Sequence, residues 1–328
     1  MTKRLLRKLC ITLVVLALVA LGIIAHIGSK ATLSPPRRSM EKWHREILAD
    51  TPSHGIAVSH HTSNNGTPYM LCEPGSVETG KKSLALRNAL RQRKVKLEPW
   101  GNMRGTILLL HGHKGCKEDH LPIAERFCAA GFRCVCLDLP GHGQHPAPYA
   151  TFGYTEVALI QEVWREYLIT NPRAEAPLFL FGVSQGGAIA LQAAANPAWS
   201  IRGVASVCAF TSLTQPIDTS ADHLPLVIRD LKPLTTRACA LGIYCRAGFF
   251  PQQISPLQAA SHLQCPVFLC HGSKDGFIPV QSARDLYQAV PHDQKTLRII
   301  EDASHHNVLS TGSTELYADF CEFFINSL

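Results

Sequence analysis

The chain has 328 residues, 46% of them hydrophobic and 17% charged, and a formal net charge of +7 at pH 7. This length suffices for one large domain or two small ones, and the apolar content supplies a sizeable core, which excludes global disorder. Lys3, Arg4, Arg7 and Lys8 contribute four of the positive charges, so the +3 that remains is too small to indicate nucleic acid binding.

The first 30 residues are predicted to form a transmembrane anchor or a signal segment. Leu9 to Ile27 carry no formally charged side chain, and these 19 residues would rise about 28 Å as a helix, close to the roughly 30 Å apolar core of a bilayer. Basic residues before the run favour a cytoplasmic N-terminus and hence an extracytoplasmic location for the domain that follows this single-pass anchor. The alternative is a cleaved secretory signal, with Ser29-Lys30-Ala31 as the cleavage site.

Residues 31–103 are predicted to be a linker and an N-terminal extension. Ala31 to Arg38 contain Ser-Pro-Pro, which is typical of a linker, and Asn65-Gly66 indicates a hairpin turn. Ser83 to Gln92 alternate apolar and basic residues at helical spacing, and Lys94 to Trp100 are expected to form an edge strand.

Strands and helices alternate from residue 104 to the C-terminus. Short apolar runs predict strands at 106–110, 134–137, 178–181, 203–208, 267–270 and 297–300. Amphipathic segments between them predict the helices, so we expect one α/β domain over 104–328. Alternation of this kind produces a mostly parallel sheet that is covered by helices on both faces.

Residues 211–264 interrupt the alternation and are too long for a simple connection, so they are predicted to be a cap inserted into the domain. The insertion is rich in apolar side chains, which would either line a site for an acyl chain or pack the cap onto the core. These side chains are Leu224, Leu226, Val227, Ile228, Leu231, Leu241, Ile243, Phe249 and Phe250.

A nucleophile is predicted at Ser184, inside the G-x-S-x-G pattern of Gly182 to Gly186. The apolar run Leu178–Phe181 precedes the pattern as a strand, and Ala188 to Ala195 follow it as a helix rich in small residues. A serine in a sharp strand-to-helix turn needs neighbours without a Cβ, because the turn is strained. This geometry exposes the hydroxyl at a helix N-terminus, where backbone N–H groups face an incoming oxygen.

With this motif and with the sequences LLLHGH and DLPGHG, the chain resembles the α/β-hydrolase superfamily over residues 104–328. Within it, the chain resembles the branch of monoacylglycerol lipases and serine aminopeptidases. The resemblance implies the α/β-hydrolase fold, here with a cap insertion and a preceding transmembrane helix. It also implies an acid and a base that follow the serine along the chain in that order.

The resemblance assigns the acid to Asp275, because His271 to Pro279 match the family motif H-G-x-x-D-x-x-x-P. It assigns the base to His305, because Ala303-Ser304-His305 aligns with the family pattern A-G-H. His306 is the alternative base, since a family variant reads His-Asn. Together with Ser184, these residues would form a nucleophile, a general base and an orienting acid.

The resemblance also implies an oxyanion hole made of two backbone N–H groups. One belongs to Gln185, which follows the nucleophile, and the other to His113, which follows the His-Gly pair after the 106–110 strand; the His113 side chain is expected to be incidental to that role. Four histidines in the loops, His111, His113, His142 and His145, match no common metal-ligand spacing, so neither a metal nor a cofactor is expected.

These features predict a serine hydrolase that cleaves a carboxylic ester through an acyl-enzyme. The apolar insertion and the membrane segment favour a lipid or lysolipid substrate. A peptidase or amidase of the same fold is the first alternative, and a non-catalytic protein of the same fold is the second. An acidic cluster that could receive a free amine would favour the peptidase, and none stands out in the insertion.

The twelve cysteines include no C-x-x-C pair, and several lie inside apolar runs, so most are expected to be buried packing residues. If the domain is exported, Cys239 and Cys245 are the expected disulfide pair.

Overall fold

A computed structural model of the chain describes residues 3–171, 177–222 and 231–328. Its centre is an eight-stranded sheet in the order β1-β2-β4-β3-β5-β6-β7-β8, in which β3 to β8 run parallel and β1 and β2 are antiparallel. The predicted mostly parallel sheet is therefore confirmed. The strands are β1 (Ile56–Thr62), β2 (Pro68–Pro74), β3 (Gly105–Leu110), β4 (Phe132–Leu137), β5 (Leu178–Val183), β6 (Gly203–Val207), β7 (Val267–Gly272) and β8 (Lys295–Ile300).

Eleven α-helices lie within the described ranges. They are α1 (Lys3–Leu33), α2 (Lys42–Ala49), α3 (Lys81–Gln92), α4 (Leu121–Ala129), α5 (Glu156–Thr170), α6 (Gln185–Ala194), α7 (Thr214–Asp222), α8 (Lys232–Ala247), α9 (Pro256–Ala260), α10 (Gln281–Ala289) and α11 (Val308–Asn326). The last of them is broken by a kink at Ser313, whose φ is 50°.

The sheet separates two apolar cores, because successive side chains of a strand point to opposite faces. Leu108 and Leu110 of β3 enter the core beneath α5, α6 and the cap, whereas Ile107 and Leu109 enter the core beneath α3, α4 and α11. Helices thus cover both faces, as the alternation predicts. The carboxyl ends of the parallel strands all meet at one edge, which is where loops in this architecture carry function.

The N-terminal extension adds an antiparallel hairpin to the sheet. Thr62 pairs with Pro68 across a turn that contains Gly66, so the predicted Asn65-Gly66 turn is confirmed. The prediction of an edge strand at Lys94 to Trp100 is wrong: these residues form a turn and an irregular segment. The hairpin already occupies this edge of the sheet, and Lys94 has a φ of 59°, which ends α3 in a turn.

The predicted cap contains α7, α8 and α9. Ile243 and Phe249 are fully buried and pack the cap onto the core, whereas Leu231, Leu241 and Phe250 are exposed. The predicted apolar positions Leu224, Leu226, Val227 and Ile228 lie outside the described residues.

The N-terminal helix differs from the expected anchor followed by a linker, because it continues to Leu33, which is fully buried. Leu6–Leu33 is long and apolar enough to cross a membrane, and a signal sequence would have the same character. Residues 6–20 are exposed along the whole helix surface, but the face from Leu21 onward packs against α8. The helix is therefore free in its first half and part of the domain in its second half.

The cysteines confirm the expectation of burial. Ten of the twelve are buried, Cys10 and Cys245 are exposed, and all twelve are free thiols. The expected Cys239–Cys245 disulfide is wrong. Both residues lie on α8 six positions apart, and the helix rise of about 9 Å between them exceeds the roughly 7 Å that a disulfide spans.

Candidate active site

The turn between β5 and α6 presents Ser184 at the carboxyl edge of the sheet. Ser184 has φ 54° and ψ −114°, a strained conformation that separates the strand from the first residue of the helix. The turn has no room for side chains beside it: a Cβ on Gly182 would lie 2.1 Å from the Gly186 carbonyl oxygen, and one on Gly186 would lie 1.9 Å from the Leu110 carbonyl oxygen. The two glycines of the motif are thus required by close backbone contact.

Three predicted residues meet at this edge, although 121 positions separate Ser184 from His305 in the chain. His305 Nδ1 donates to Asp275 Oδ2 over 2.7 Å, and its Nε2 lies 2.9 Å from Ser184 Oγ. With the proton on Nδ1, Nε2 is left to accept from the serine hydroxyl. This arrangement is that of a nucleophile, a general base and an orienting carboxylate.

Asp275 is held as a carboxylate by donors on both of its oxygens. Oδ1 accepts from the N–H groups of Phe277 and Ile278, and Oδ2 accepts from His305 and from Nε2 of His271 at 3.1 Å. Burial opposes ionisation, but the hydrogen bonds from His271 and His305 outweigh it and lower the pKa of the Asp275 carboxyl well below its usual range. The acid therefore stays ionised across the physiological range of pH.

His271 is a second histidine that contacts the Asp275 carboxylate, and the motif match alone does not assign it this contact. It is fully buried, and its Nε2 donates both to Asp275 Oδ2 and to the Ile278 carbonyl oxygen, 2.9 Å away. It is the first residue of the H-G-x-x-D motif, so its position four residues before the acid was the available signal.

His306, the alternative base, lies beside the site. Both hydrogen bonds to Ser184 and Asp275 come from His305, whereas His306 is exposed and its ring meets that of His305 edge to face at 5.3 Å. The Asn307 side chain accepts from the Ser304 N–H and so closes the loop around the histidine pair.

The two predicted oxyanion donors flank Ser184. Gln185 is the first residue of α6, so its N–H has no carbonyl acceptor one turn earlier within the helix. On the other side, a Cβ on Gly112 would lie 3.5 Å from Ser184 Cβ, which places the peptide that precedes His113 next to the serine. Within the described part of the chain, the His113 N–H donates to no backbone or side-chain acceptor.

The side chain of His113 contacts the end of α1. Its Nε2 donates to the carbonyl oxygen of Thr32, 3.0 Å away, at the end of α1. The ring stacks on Phe152 and meets His142 edge to face. Burial lowers the pKa of His113, so the ring is neutral.

The other loop histidines hold backbone groups. His111 Nε2 accepts from the Leu139 N–H, and His145 Nδ1 accepts from the Ala147 N–H. Burial lowers the pKa values of His111 and His142, to about 2 for His142. The ring nitrogens of these histidines therefore stabilise the loops after β3 and β4.

Two other groups combine potential metal ligands, His44 with Cys116 and Asp119, and Cys208 with His271 and Asp275. In the first, His44 Nδ1 accepts from the Glu41 N–H and Nε2 donates to Asp119, so both ring nitrogens are already engaged.

A buried ion pair joins the loop after β3 to the loop after β4. The Nζ of Lys117 lies 2.8 Å from Asp138 Oδ2 and 2.9 Å from Glu118 Oε1, and Asp138 also accepts from the N–H groups of Lys117 and Gln144. Burial disfavours the ammonium, but Asp138 and Glu118 outweigh it and raise the pKa of Lys117. Asp138 therefore orients the loops that follow β3 and β4.

Lys117→Met is expected to lower the free energy of unfolding by about 3–5 kcal/mol, because it leaves the Asp138 carboxylate buried without its cation. Thermal unfolding of the detergent-solubilised protein measures the loss. Lys42→Met, at a side chain that is 87% exposed, is the matched control and should change stability little. Equal stability of the two variants would contradict the structural role of the pair.

Comparison with known proteins gives a consistent fold. Residues 105–235 match the family described as alpha/beta hydrolase fold. The esterase Pf2001 of Pyrococcus furiosus is similar, with a TM-score of 0.62 and 16% identity over 89% of this chain and 98% of the esterase. The monoacylglycerol lipase of Paleococcus ferrophilus has a TM-score of 0.51 and 19% identity over 69% and 96% of the two chains.

A bacterial membrane phospholipase A, described as a virulence factor, is similar over nearly all of both chains. Its TM-score is 0.55 and its identity 19%, covering 98% of this chain and 99% of that protein. The coverage thus includes the N-terminal helix as well as the α/β domain. At these identities the likenesses establish the fold.

Proposed function

We propose that this chain, which has the α/β-hydrolase fold, is a serine hydrolase that cleaves a carboxylic ester through an acyl-enzyme. The observation that carries the proposal is the placement of His305 between Ser184 Oγ, at 2.9 Å, and Asp275 Oδ2, at 2.7 Å. The esterase and lipase folds among its structural neighbours support a hydrolase.

In the first step, Ser184 Oγ attacks the ester carbonyl carbon while His305 Nε2 takes the hydroxyl proton. Asp275 remains ionised and stabilises the imidazolium that forms. The carbonyl oxygen becomes an oxyanion, which accepts from the N–H groups of Gln185 and His113; such donors contribute about 3 kcal/mol each to the transition state.

The tetrahedral intermediate then collapses. The bond to the leaving oxygen breaks, His305 gives its proton to the departing alcohol, and the acyl group stays on Ser184 Oγ. Water attacks this acyl-enzyme with His305 as the base, and the acid product leaves with the serine hydroxyl restored.

An apolar acyl ester, a lipid or lysolipid, is the substrate class that the apolar surface of the cap and the proposed membrane anchor favour. The cap exposes Leu241 and Tyr244 on α8, and Tyr244 stacks on exposed Phe250 with the ring centroids 4.5 Å apart. Exposed apolar side chains beside a membrane segment suit substrates that partition into a bilayer.

Labelling of the purified full-length chain with a fluorophosphonate, followed by identification of the modified residue, tests the proposal. Panels of p-nitrophenyl esters and p-nitroanilides of matched acyl length then separate esterase from amidase activity. Modification at Ser184 with preference for esters is the expected result. Preference for the anilides would favour the peptidase or amidase, and a chain that does not react would favour a non-catalytic protein.

We propose further that α1 is an uncleaved single-pass anchor, so that the mature protein retains Leu9 to Ile27 and the catalytic domain is extracytoplasmic. Ser29, in the candidate cleavage site, is fully buried and accepts from Arg246, whose guanidinium also lies 2.8 Å from His26 Nδ1. Cleavage after Ala31 would remove this packed face and expose the apolar side of α8.

The protein is therefore expected in the membrane fraction, resistant to salt and alkali and released by detergent. N-terminal sequencing of the native protein checks the prediction. A mature chain that begins near Thr32 and is soluble would mean a cleaved signal and would contradict the anchor.

A further inference from the structure

The last turn of α1 contacts the loop that carries the proposed second oxyanion donor. The Thr32 carbonyl oxygen, free at the helix C-terminus, accepts from His113 Nε2 over 3.0 Å. The His113 ring is enclosed by Phe152 and His142, so a single hydrogen bond and two ring contacts fix its orientation. Because the ring and the backbone N–H belong to one residue, fixing the ring also fixes the donor.

The position of Thr32 is set in turn by close packing between α1 and the cap helix α8. A Cβ on Gly242 would lie 2.3 Å from the Ala25 carbonyl oxygen, and a Cβ on Gly28 would lie 3.0 Å from the Cys239 sulfur. Helix backbones come this near to each other when small residues face one another. A side chain added at Gly242 must therefore push α1 away from the cap.

The last residue of α1 and the segment that follows it also bind the loop after β4. The Leu33 carbonyl accepts from the Ala150 N–H over 2.7 Å, and the Arg37 guanidinium donates to four carbonyl oxygens of the loop after β4. That loop supplies both Phe152 and His142. Residues 25–37 thus connect the cap to every group that orients His113.

We propose that α1 is a positioning element of the catalytic site: its packing on α8 holds the Thr32 carbonyl where it orients His113 and so aligns one N–H of the oxyanion hole. This inference rests on the proposed ester hydrolysis. It makes the N-terminal helix part of the catalytic domain in addition to any role in the membrane. Donors of this kind act in the transition state, so misalignment should lower kcat more than it raises KM.

Substitutions of His113 in the full-length, detergent-solubilised protein test the hydrogen bond. His113→Leu removes the donor and keeps an apolar side chain of similar bulk, whereas His113→Gln can donate from its amide nitrogen. With a short-chain p-nitrophenyl ester, His113→Leu is expected to reduce kcat by about tenfold to a hundredfold with KM nearly unchanged. His113→Gln should recover most of kcat; equal losses in both variants would overturn the proposal.

A matched pair of glycine substitutions tests the helix packing. Gly242→Ala forces α1 away from α8, whereas Gly22→Ala adds the same methyl group to α1 where no atom lies within 4 Å. Alanine favours a helix at both positions, so propensity cannot account for a difference. We expect Gly242→Ala to reduce kcat at least fivefold and Gly22→Ala to leave it unchanged.

The double variant His113→Leu/Gly242→Ala tests whether the two substitutions act through the same hydrogen bond. If Gly242→Ala acts through the Thr32–His113 bond, it should cost little further kcat when that bond is already absent. Independent, multiplying losses would overturn the proposed link. If the wild type hydrolyses no ester, the proposed function itself fails, and this outcome is distinct from an active wild type whose variants behave alike.

Discussion

Replacing Ser184 with alanine is expected to abolish ester hydrolysis, with a loss in kcat of about 10³-fold or more. The variant lacks the oxygen that forms the acyl-enzyme, and His305 then has no hydroxyl proton to accept. Initial rates with a short-chain p-nitrophenyl ester, measured on purified full-length protein in detergent, give the loss directly.

The fold should survive this change. Alanine adopts the strained φ of 54° about as readily as serine does, and the substitution removes one half-buried oxygen. An unchanged melting temperature is therefore expected. Ser261→Ala, at an exposed serine after α9, is the control and should keep full activity and fluorophosphonate labelling. Activity of Ser184→Ala equal to that of this control would refute the assignment of the nucleophile.

The second large effect is expected at His305. His305→Ala should reduce kcat by about 10³-fold or more, because the imidazole contacts both Ser184 Oγ and Asp275 Oδ2. The adjacent His306→Ala removes a side chain of the same kind from the same loop. It should retain kcat within about threefold, because His306 is exposed. Kinetic assays of the two variants at one pH and one detergent concentration make the comparison.

The opposite ranking would transfer the role of base to His306 and would require the loop to rearrange. Similar large losses in both variants would point to collapse of the loop, which Asn307 holds closed through Ser304. Melting temperatures separate that case from a chemical effect, because a loop collapse lowers stability in both variants.

The strands and the nucleophile turn could be predicted from sequence because their signals are local. The run Leu178–Phe181 is apolar over four residues and is followed at once by Gly182. The apolar pattern, the length of the run and the glycine after it therefore all indicate a buried strand that ends in a turn. The turn at Asn65-Gly66 is likewise predicted by a local signal, the Asn-Gly dipeptide. Asp275 and His305 lie far apart in sequence, and their pairing followed from the resemblance to a family rather than from local pattern.

The remaining features depend on contacts between distant segments, which composition and periodicity do not encode. Nothing near Thr32 indicates that its carbonyl meets His113, because the contact depends on how α1 docks against α8. The edge strand expected at Lys94 to Trp100 failed for a related reason. A sheet edge accepts one partner, and the hairpin ahead of α3 occupies it.

The burial of the cysteines bears on where the chain can work. Burial raises the pKa of the Cys116 and Cys208 thiols to about 12 and that of Cys265 to about 11, so oxidants and alkylating reagents meet almost no thiolate at these positions. A chain with many cysteines is thereby made tolerant of an oxidising compartment as well as a reducing one. The exposed thiol of Cys245 on α8 lies outside the proposed anchor and is a natural attachment point for a probe. A fluorophore on it would report changes in the surroundings of the cap helix without any engineered cysteine.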